Sequence, residues 1–296
     1  MLPIEARVRI SLWWPYVFGL CIWLAVAGAF FYLLRHSDPT DIPDGPVDLR
    51  ALSSISNFCA AYIEANGGGQ RLDALQGILS TGIFESGKRK IEFRTIKRRP
   101  DKSITTLKMK EYNLSFIVNG DHVWQRIEQQ GIEPVDTLKE GPEADAMREL
   151  GHFFDPLMYA VLEQRKGIVS ITPDTWQGED CLLVELNLPF RGIKAQVFVD
   201  PLKMTPIARV ENFDQEQIRE IFYADYRSVN KGILEPFKID TFLNGELQSR
   251  VLVDKCFANR GILTSIFEHP GPSREFKRLR GSKQDAADIE RLEADE

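Results

Sequence analysis

Hydrophobic and polar residues alternate with a period of two over much of the chain from about residue 78 onwards. Successive side chains on a β-strand point to opposite faces, so this alternation predicts strands with one buried face. We predict eleven strands, at 78–85, 89–98, 103–111, 114–119, 122–128, 180–188, 193–200, 206–212, 217–227, 232–242 and 246–255. Turn residues separate them, and the pairs Asn119-Gly120 and Asn244-Gly245 favour tight hairpins. The pattern indicates an antiparallel sheet.

Two regions have helical periodicity instead. Residues 49–66 carry an apolar stripe that ends at three glycines, which predicts an amphipathic helix, and a short helical turn follows at 71–76. A second apolar stripe covers 143–166, where Asp155-Pro156 resembles an N-cap followed by proline in the first turn, so we predict two helices there. About eleven strands are too many for a flat sheet. We therefore expect a curved sheet whose concave face is covered by the inserted helices.

Residues 10–34 form a stretch of 25 residues without a formal charge. At 1.5 Å per residue this length is enough to cross the ~30 Å hydrocarbon core of a membrane. Trp13 and Trp14 lie at one end, and Arg7 and Arg9 precede it, which favours an N-terminus on the cytoplasmic side. The segment predicts a single-pass protein of the bacterial inner membrane, with its C-terminal domain in the periplasm.

A cleaved signal peptide is the competing interpretation of the same segment. Ala25-Val26-Ala27 resembles the small-residue site at which signal peptides are cut. The apolar run continues beyond this site through Phe30 and Leu34, which favours an anchor that is retained. Cleavage remains open at this point.

The remaining boundaries follow from composition. Residues 1–9 form a short cytoplasmic segment, and 35–48, rich in proline and aspartate, form a linker. The folded domain covers 49–270. Residues 271–296 are densely charged and predict a disordered tail.

Charge and cysteine content exclude several kinds of protein. The formal net charge is −6, whereas a nucleic-acid binder needs a positive surface. The four cysteines, Cys21, Cys59, Cys181 and Cys256, contain no CxxC pair, so we expect no metal site and no cofactor. Cys21 lies in the apolar segment, and the other three permit at most one disulfide, so we expect buried thiols.

Motifs for catalysis are also missing from the sequence. Neither GxSxG nor HExxH occurs, and His122, His152 and His269 are scattered along the chain. We therefore expect a protein without enzymatic activity.

Four segments carry a resemblance to a known family. They are YIEANGGGQRLDALQGILSTGIFESG, KRRPDKSITTLKMKEYNLSFIVNGDHVWQ, CLLVELNLPFRGIKAQVFVDPLKMTPIARV and YADYRSVNKGILEPFKIDTFLNGELQSRVLVDKCFANRGILTSIFEHP. Their order and spacing resemble the outer-membrane lipoprotein-sorting protein family, that is, the LolA-like and LolB-like domains. The resemblance covers roughly residues 59–270.

The resemblance implies a half-barrel that binds an acyl chain on its concave face, beneath helices, in lipoprotein sorting or lipid transport. The implied partners are a lipid or lipoprotein acyl chain. In the sorting chaperone of this family a strand arginine helps to control the opening of the helical lid. Arg94, Arg98 and Arg99 all fall near that region, and the sequence leaves the choice among them open.

Large apolar residues on the predicted strand faces and helices are the candidates for such a cavity. They are Phe84, Phe93, Leu107, Met109, Phe116, Trp124, Phe154, Leu157, Met158, Phe198, Phe222 and Phe237. Ordinary core packing is the competing explanation for each one, because cores are built from the same residue types.

An alternative function belongs to a different class. The same fold could serve as a regulatory or assembly module of the cell envelope that binds a protein partner, with the concave face filled by its own side chains. Helices that pack permanently over the sheet would favour this alternative.

Overall fold

The alternating segments form one antiparallel sheet of thirteen strands in a computed structural model, which describes residues 48–163, 166–212, 217–230 and 232–268. The strands are β1 (Gly77–Ser86), β2 (Arg89–Arg98), β3 (Lys102–Lys108), β4 (Asn113–Asn119), β5 (His122–Glu128), β6 (Val135–Leu138), β7 (Ile168–Trp176), β8 (Glu179–Asn187), β9 (Lys194–Asp200), β10 (Thr205–Asn212), β11 (Ile218–Asn230), β12 (Ile233–Leu243) and β13 (Glu246–Ala258). The predicted class, mainly β with helices, is confirmed.

Two meanders make up the sheet, and one strand pair joins them. The strand order is β6-β5-β4-β3-β2-β1-β13-β12-β11-β10-β9-β8-β7, so β1 and β13 connect the first six strands to the last seven. Their register shifts between Thr81 and Gly82. A Cβ atom on Gly82 would lie 2.0 Å from the carbonyl oxygen of Leu252, so the close approach of the two strands requires glycine.

Five helices and one 3-10 helix complete the domain. They are α1 (Leu49–Leu52), α2 (Ile55–Ala65), α3 (Gly69–Ala74), α4 (Gly141–Gly151), α5 (Pro156–Leu162) and the 3-10 helix Thr264–Phe267. The predicted helix over 49–66 is thus divided in two near Ser54, which is extended. The two helices predicted in the second region are confirmed: the Asp155 carboxylate accepts hydrogen bonds from the backbone N–H groups of Leu157 and Met158.

The sheet is strongly curved, as the contacts of α4 demonstrate. Gly151 lies against Val118 of β4, because a Cβ atom there would come within 2.8 Å of Val118 Cγ2. Two residues earlier, Glu149 pairs with Arg191 (Nε–Oε2 3.1 Å), and Arg191 donates to Glu211 of β10 (2.9 Å). β4 and β10 are seven strands apart, which is ~34 Å in a flat sheet at ~4.8 Å per strand. One helix reaches both because the sheet wraps around it.

The largest core cluster lies between the helices and strands β7–β9. Phe58 and Tyr62 of α2 stack at 5.6 Å between ring centroids and pack with Leu157 of α5 against strand residues such as Leu182 and Val197. All five side chains are buried. At ~25 cal/mol per Å² of apolar surface, this burial holds the helices on the concave face.

Tight turns occur where the sequence predicts them. Asn244 and Gly245 have φ angles of 50° and 80° and connect the paired residues Leu243 and Glu246, which is the conformation of a two-residue hairpin. Gly67 and Gly68, at the end of α2, have φ angles of 107° and 81°, so these glycines end the helix as predicted.

The expected number of eleven strands is wrong by two. The missed strands, β6 and β7, are the two edges of the sheet. β6 has four residues, too few to display an alternating pattern, and β7 contains Pro173, which lacks a backbone N–H. Proline is tolerated on an edge strand, where one side of the backbone has no partner strand.

The prediction of a single-pass inner-membrane protein with a periplasmic domain is corrected. Among the described residues no helix is long and apolar enough to cross a membrane. The longest, α2 and α4, have 11 residues each and so span ~16 Å, against ~30 Å of hydrocarbon. The segment 10–34 on which the prediction rests lies outside the described residues.

Other predicted boundaries also concern residues outside the described ranges. The segment 1–9, most of the linker 35–48 and the tail 271–296 belong to this group, and these boundaries stay predictions. Within the described ranges, Cys59 and Cys181 are buried and Cys256 is half-buried.

Candidate ligand-binding cavity

A cavity of about 670 Å³ lies between the concave face of the sheet and the helices. Apolar side chains form most of its wall, from strands β1–β4 and β11–β13 and from the segment that connects α4 to α5. Representative wall residues are Phe84, Phe93, Leu107, Phe116, Phe153, Ile221, Ile239 and Val251. The helices cover the concavity without filling it.

Strand alternation turns these side chains inward. Along β2 the cavity wall contains Phe93, Thr95 and Lys97, which are two residues apart and therefore share a face. Phe93 pairs across the sheet with Leu107, and Thr95 pairs with Thr105, whose hydroxyl lies 3.1 Å from that of Thr95. A band of hydroxyls thus lies beside an apolar region.

Most of the candidates from the sequence line this cavity. They are Phe84, Phe93, Leu107, Phe116, Phe154, Leu157, Met158 and Phe237. The first four belong to β1–β4, the next three to the segment 154–158, and the last to β12. The strand residues among them share the face that lines the cavity, because side chains on a strand alternate with a period of two.

Four candidates lie elsewhere in the molecule. Phe198 and Phe222 are on the opposite face of the sheet, where their rings lie 4.0 Å and 6.0 Å from that of Trp176. In each strand the neighbouring residue, Val197 or Ile221, faces the cavity instead. Alternation predicts that adjacent side chains on a strand point to opposite faces of the sheet. It does not identify which of the two faces is concave.

The other two candidates that do not line the cavity are Trp124 and Met109. Trp124 of β5 pairs with Ile117, whose neighbours Phe116 and Val118 line the cavity, so Trp124 belongs to the opposite face. Met109 follows the end of β3, and its backbone N–H donates to the carbonyl of Tyr112 (2.9 Å) in the turn before β4.

One of the three arginines near the lid contacts the helices. Arg99 donates to the carbonyl of Leu72 in α3 (2.8 Å), and its guanidinium lies 5.5 Å and 4.8 Å from the ring centroids of Phe153 and Phe154. Arg98 instead donates to the carbonyl of Ile262. Arg94 lines a shallow depression on the other face of the sheet. Arg99 therefore connects α3 to the segment between α4 and α5.

Sequence reasoning missed a cluster of charged side chains in the cavity wall. Lys97 donates from Nζ to the carbonyl of His152 (2.7 Å). Burial raises the pKa of Glu235 to about 7, although Lys97 opposes the shift. Burial also raises the pKa of Asp155 and lowers that of Lys97. These residues lie on β2, on β12 and at the start of α5, and no local sequence pattern connects them.

Asp155 illustrates how such groups are placed. Its side chain lines the cavity and keeps an exposed surface, yet the surrounding protein raises the pKa of the carboxyl by desolvation. A group of this kind interacts strongly with any charge that enters the cavity, because little water screens it.

A second charged network lies on the other side of the cavity. Arg209 Nε is 2.9 Å from Glu211 Oε1, although the pair is not aligned as a hydrogen bond, and Arg219 is 3.8 Å from Glu211. Arg191 joins the same carboxylate to Glu149 of α4. Glu211 is completely buried. The network attaches α4 to the sheet and places two guanidinium groups in the cavity wall.

Comparisons with known proteins support the fold. No protein-family model matches the sequence, and no curated protein matches it either. Similar solved structures include a DUF1329 family protein from Desulfovibrio piger, with a TM-score of 0.50 and 10% identity, over 73% of this chain and 98% of that one. A LolA superfamily protein from Nitrosomonas europaea has a TM-score of 0.47 and 12% identity, over 72% and 96%. At 10% identity, the likeness to the DUF1329 family protein shows a shared fold.

Proposed function

We propose that this protein binds the acyl chain of a lipid or lipoprotein in the cavity between sheet and helices, in lipoprotein sorting or lipid transport. It acts by binding and release, without covalent catalysis. The observation that carries the proposal is the cavity of about 670 Å³ with its largely apolar wall.

The size and wall chemistry of the cavity suit such a ligand. Its volume falls within the roughly 300–1,000 Å³ of typical small-molecule sites. An acyl chain leaves a membrane or another carrier only when comparable apolar surface receives it, since each buried methylene contributes ~0.8 kcal/mol. The aromatic and aliphatic side chains of β1–β4 and β11–β13 supply that surface.

The helices cover the cavity, and the proposal requires this cover to open. The segment from Phe153 to Met158 lines the cavity and is held by the Arg99 contacts, by the Glu149–Arg191 pair and by the burial of its apolar side chains. The polar contacts are individually modest in energy. A ligand that enters between α5 and the strands must also loosen the apolar contacts.

The proposal predicts binding of an uncharged acyl ligand. The full chain is titrated by calorimetry with monolaurin below its micellar concentration, and saturable binding with a defined stoichiometry is expected. Thr105→Phe narrows the cavity beside Thr95 and displaces about two methylene groups, which at ~0.8 kcal/mol each weakens binding by about tenfold.

A neighbouring variant controls for general effects on the strand. Thr106 faces the other side of the sheet, where its hydroxyl lies 2.9 Å from that of Ser115, so Thr106→Phe should leave the affinity unchanged. Equal loss in both variants, or no binding to the natural protein, contradicts the proposal. Native purification followed by solvent extraction and mass spectrometry then tests whether a protein partner, instead of a lipid, accompanies the chain.

A further inference from the structure

Two guanidinium groups in the cavity wall share a single carboxylate. Arg209 and Arg219 both line the cavity and both approach Glu211, at 2.9 Å and 3.8 Å. The other cation at Glu211, Arg191, has a carboxylate of its own in Glu149. Arg209 is only 6% exposed, so water does not compensate for its charge. This side of the cavity has an excess of positive charge.

An excess of negative charge occurs among the groups around Lys97. Asp155 and Glu235 both line the cavity, and Lys97 is the cation that interacts with each of them. Asp155 is held in place by the hydrogen bonds that it accepts at the start of α5. Among the described residues, no hydrogen bond or ion pair within 4.0 Å engages the Glu235 carboxylate. Two carboxylates thus face one ammonium group.

The positive set, Arg209 and Arg219, and the negative set, Asp155 and Glu235, both line the cavity but form no ion pair with each other. Asp155 interacts electrostatically with both Lys97 and Arg209, and Tyr223 interacts with both Arg209 and Asp155. Within the described part of the chain, no nitrogen–oxygen pair between Arg209 or Arg219 and Asp155 or Glu235 approaches within 4.0 Å. All four charged residues line the same cavity, so a molecule inside it can lie near both kinds of charge.

Such an arrangement is costly for the free protein. A charge that is removed from water without a close partner destabilises the fold. The pKa directions agree: burial and the neighbouring Arg209 and Arg191 lower the pKa of Arg219, while burial raises the pKa of Glu235 to about 7. Arg219 shares the Glu211 carboxylate with Arg191 and Arg209, and Glu235 shares Lys97 with Asp155.

The strand wall next to these charges changes from polar to apolar in one direction. Three successive cross-strand pairs of β2 and β3 are Lys97–Ser103, Thr95–Thr105 and Phe93–Leu107. The first pair lies about 13 Å from the third, at ~3.3 Å per residue. All six side chains line the cavity. This gradient matches a molecule with a charged head and an apolar chain.

We infer that the cavity takes an amphiphile whose headgroup carries both charges, with an anionic group beside Arg209 and Arg219, an ammonium group beside Asp155 and Glu235, and its acyl chain against Phe93 and Leu107. The inference rests on the proposed function and names the class of its ligand. A zwitterionic headgroup neutralises both the excess positive charge and the excess negative charge. A headgroup with a single charge neutralises one of them and leaves the other without a counter-ion.

Four probes with twelve-carbon chains test the inference by calorimetry of the full chain at pH 8, where Glu235 is mainly ionised. They are lauroyl lysophosphatidylethanolamine (zwitterionic), lauroyl lysophosphatidylglycerol (anionic), dodecylamine (cationic) and monolaurin (uncharged). Each charge-assisted contact is worth enough to change affinity by about tenfold. The zwitterionic probe should bind about tenfold more tightly than any other.

Two substitutions separate the charges. Arg219→Gln should weaken the binding of both phosphate probes by about tenfold and leave dodecylamine unaffected or bound more tightly. Glu235→Gln should weaken the zwitterion and dodecylamine but not the anion. Arg94→Gln and Glu92→Gln, on the other face of the sheet, are the matched controls. Thermal unfolding of each variant shows whether it is folded.

Each outcome decides between the two proposals. Equal affinity for all four probes overturns the zwitterion inference while monolaurin binding leaves the proposed function intact. The zwitterion inference is also overturned if the anionic probe binds most tightly and Glu235→Gln does not change its affinity. If no probe binds, monolaurin included, the proposed function itself fails.

Discussion

Glu235 places a carboxylate in the largely apolar wall of the cavity. It lies on a strand whose neighbours Ile233 and Phe237 are buried, and its carboxylate faces the cavity. A glutamine of the same shape would remove the charge at no cost in packing. We therefore expect the carboxylate to reduce stability, which is typical of groups kept for binding.

At the residue scale, we predict that Glu235→Gln stabilises the protein at pH 8. The folded-state pKa of about 7 lies above the ordinary value of 4.5, so the natural protein loses stability as the pH rises from about 4.5 to 7. Glutamine resembles the protonated form, so the variant should gain on the order of 1 to 2 kcal/mol at pH 8 and nothing at pH 4.5.

Urea unfolding at both pH values measures this difference. The titratable groups that interact with Glu235 are Lys97, Asp155, Tyr62, Tyr226 and Cys256. A variant that is less stable at pH 8 would indicate that the carboxylate stabilises Lys97 more than burial destabilises it. Glu92→Gln, which removes only the exposed pair with Lys108, should change little.

At the scale of elements, Arg99 contacts the connection between α4 and α5. Its hydrogen bond to Leu72 and its position over Phe153 and Phe154 join two covers of the cavity, α3 and the segment that leads into α5. The sheet beneath does not require these contacts. Local opening is therefore separable from global unfolding.

We predict that Arg99→Gln increases amide hydrogen exchange in residues 153–162 and leaves the strands protected. The lost cation–π and hydrogen-bond contacts are worth about 1 to 2 kcal/mol together, which corresponds to about a tenfold increase in local opening. Exchange measured by mass spectrometry resolves these peptides. Unchanged exchange at 153–162, or the same increase in Arg94→Gln, would show that Arg99 does not hold the helices.

At the scale of the whole molecule, a single strand pair holds the two meanders together. β1 and β13 are far apart in sequence, yet between them they join six strands to seven. The closest approach is at Gly82, where Phe93 Cε1 and the Leu252 carbonyl leave no room for a Cβ atom. The sheet that encloses the cavity is therefore continuous only through the pairing of β1 with β13.

Gly82→Ala should therefore destabilise the domain by about 3 kcal/mol or more, because backbone atoms must shift to accept the methyl group. Urea unfolding followed by fluorescence gives the free energy of unfolding. Gly261→Ala is the matched control, since nothing lies within 4 Å of the position that its Cβ atom would take. Similar values for the two variants would contradict this account of the joint.

The sequence by itself determined the features that depend on residues close in the chain. The Asn-Gly hairpins, the glycine end of α2 and the Asp155-Pro156 start of α5 all satisfy backbone groups within a few residues, so their patterns are legible without a fold. The inward and outward alternation of each strand is equally local.

Only the tertiary structure decided which face of each strand lines the cavity and which charges meet there. Phe198 and Phe222 fall on the opposite face because concavity is a property of the whole sheet, not of one strand. Lys97, Asp155 and Glu235 come together through the β1–β13 joint and the position of α5, both of which depend on packing between distant segments. The edge strands β6 and β7 were missed because β6 is too short to display an alternating pattern and β7 contains Pro173.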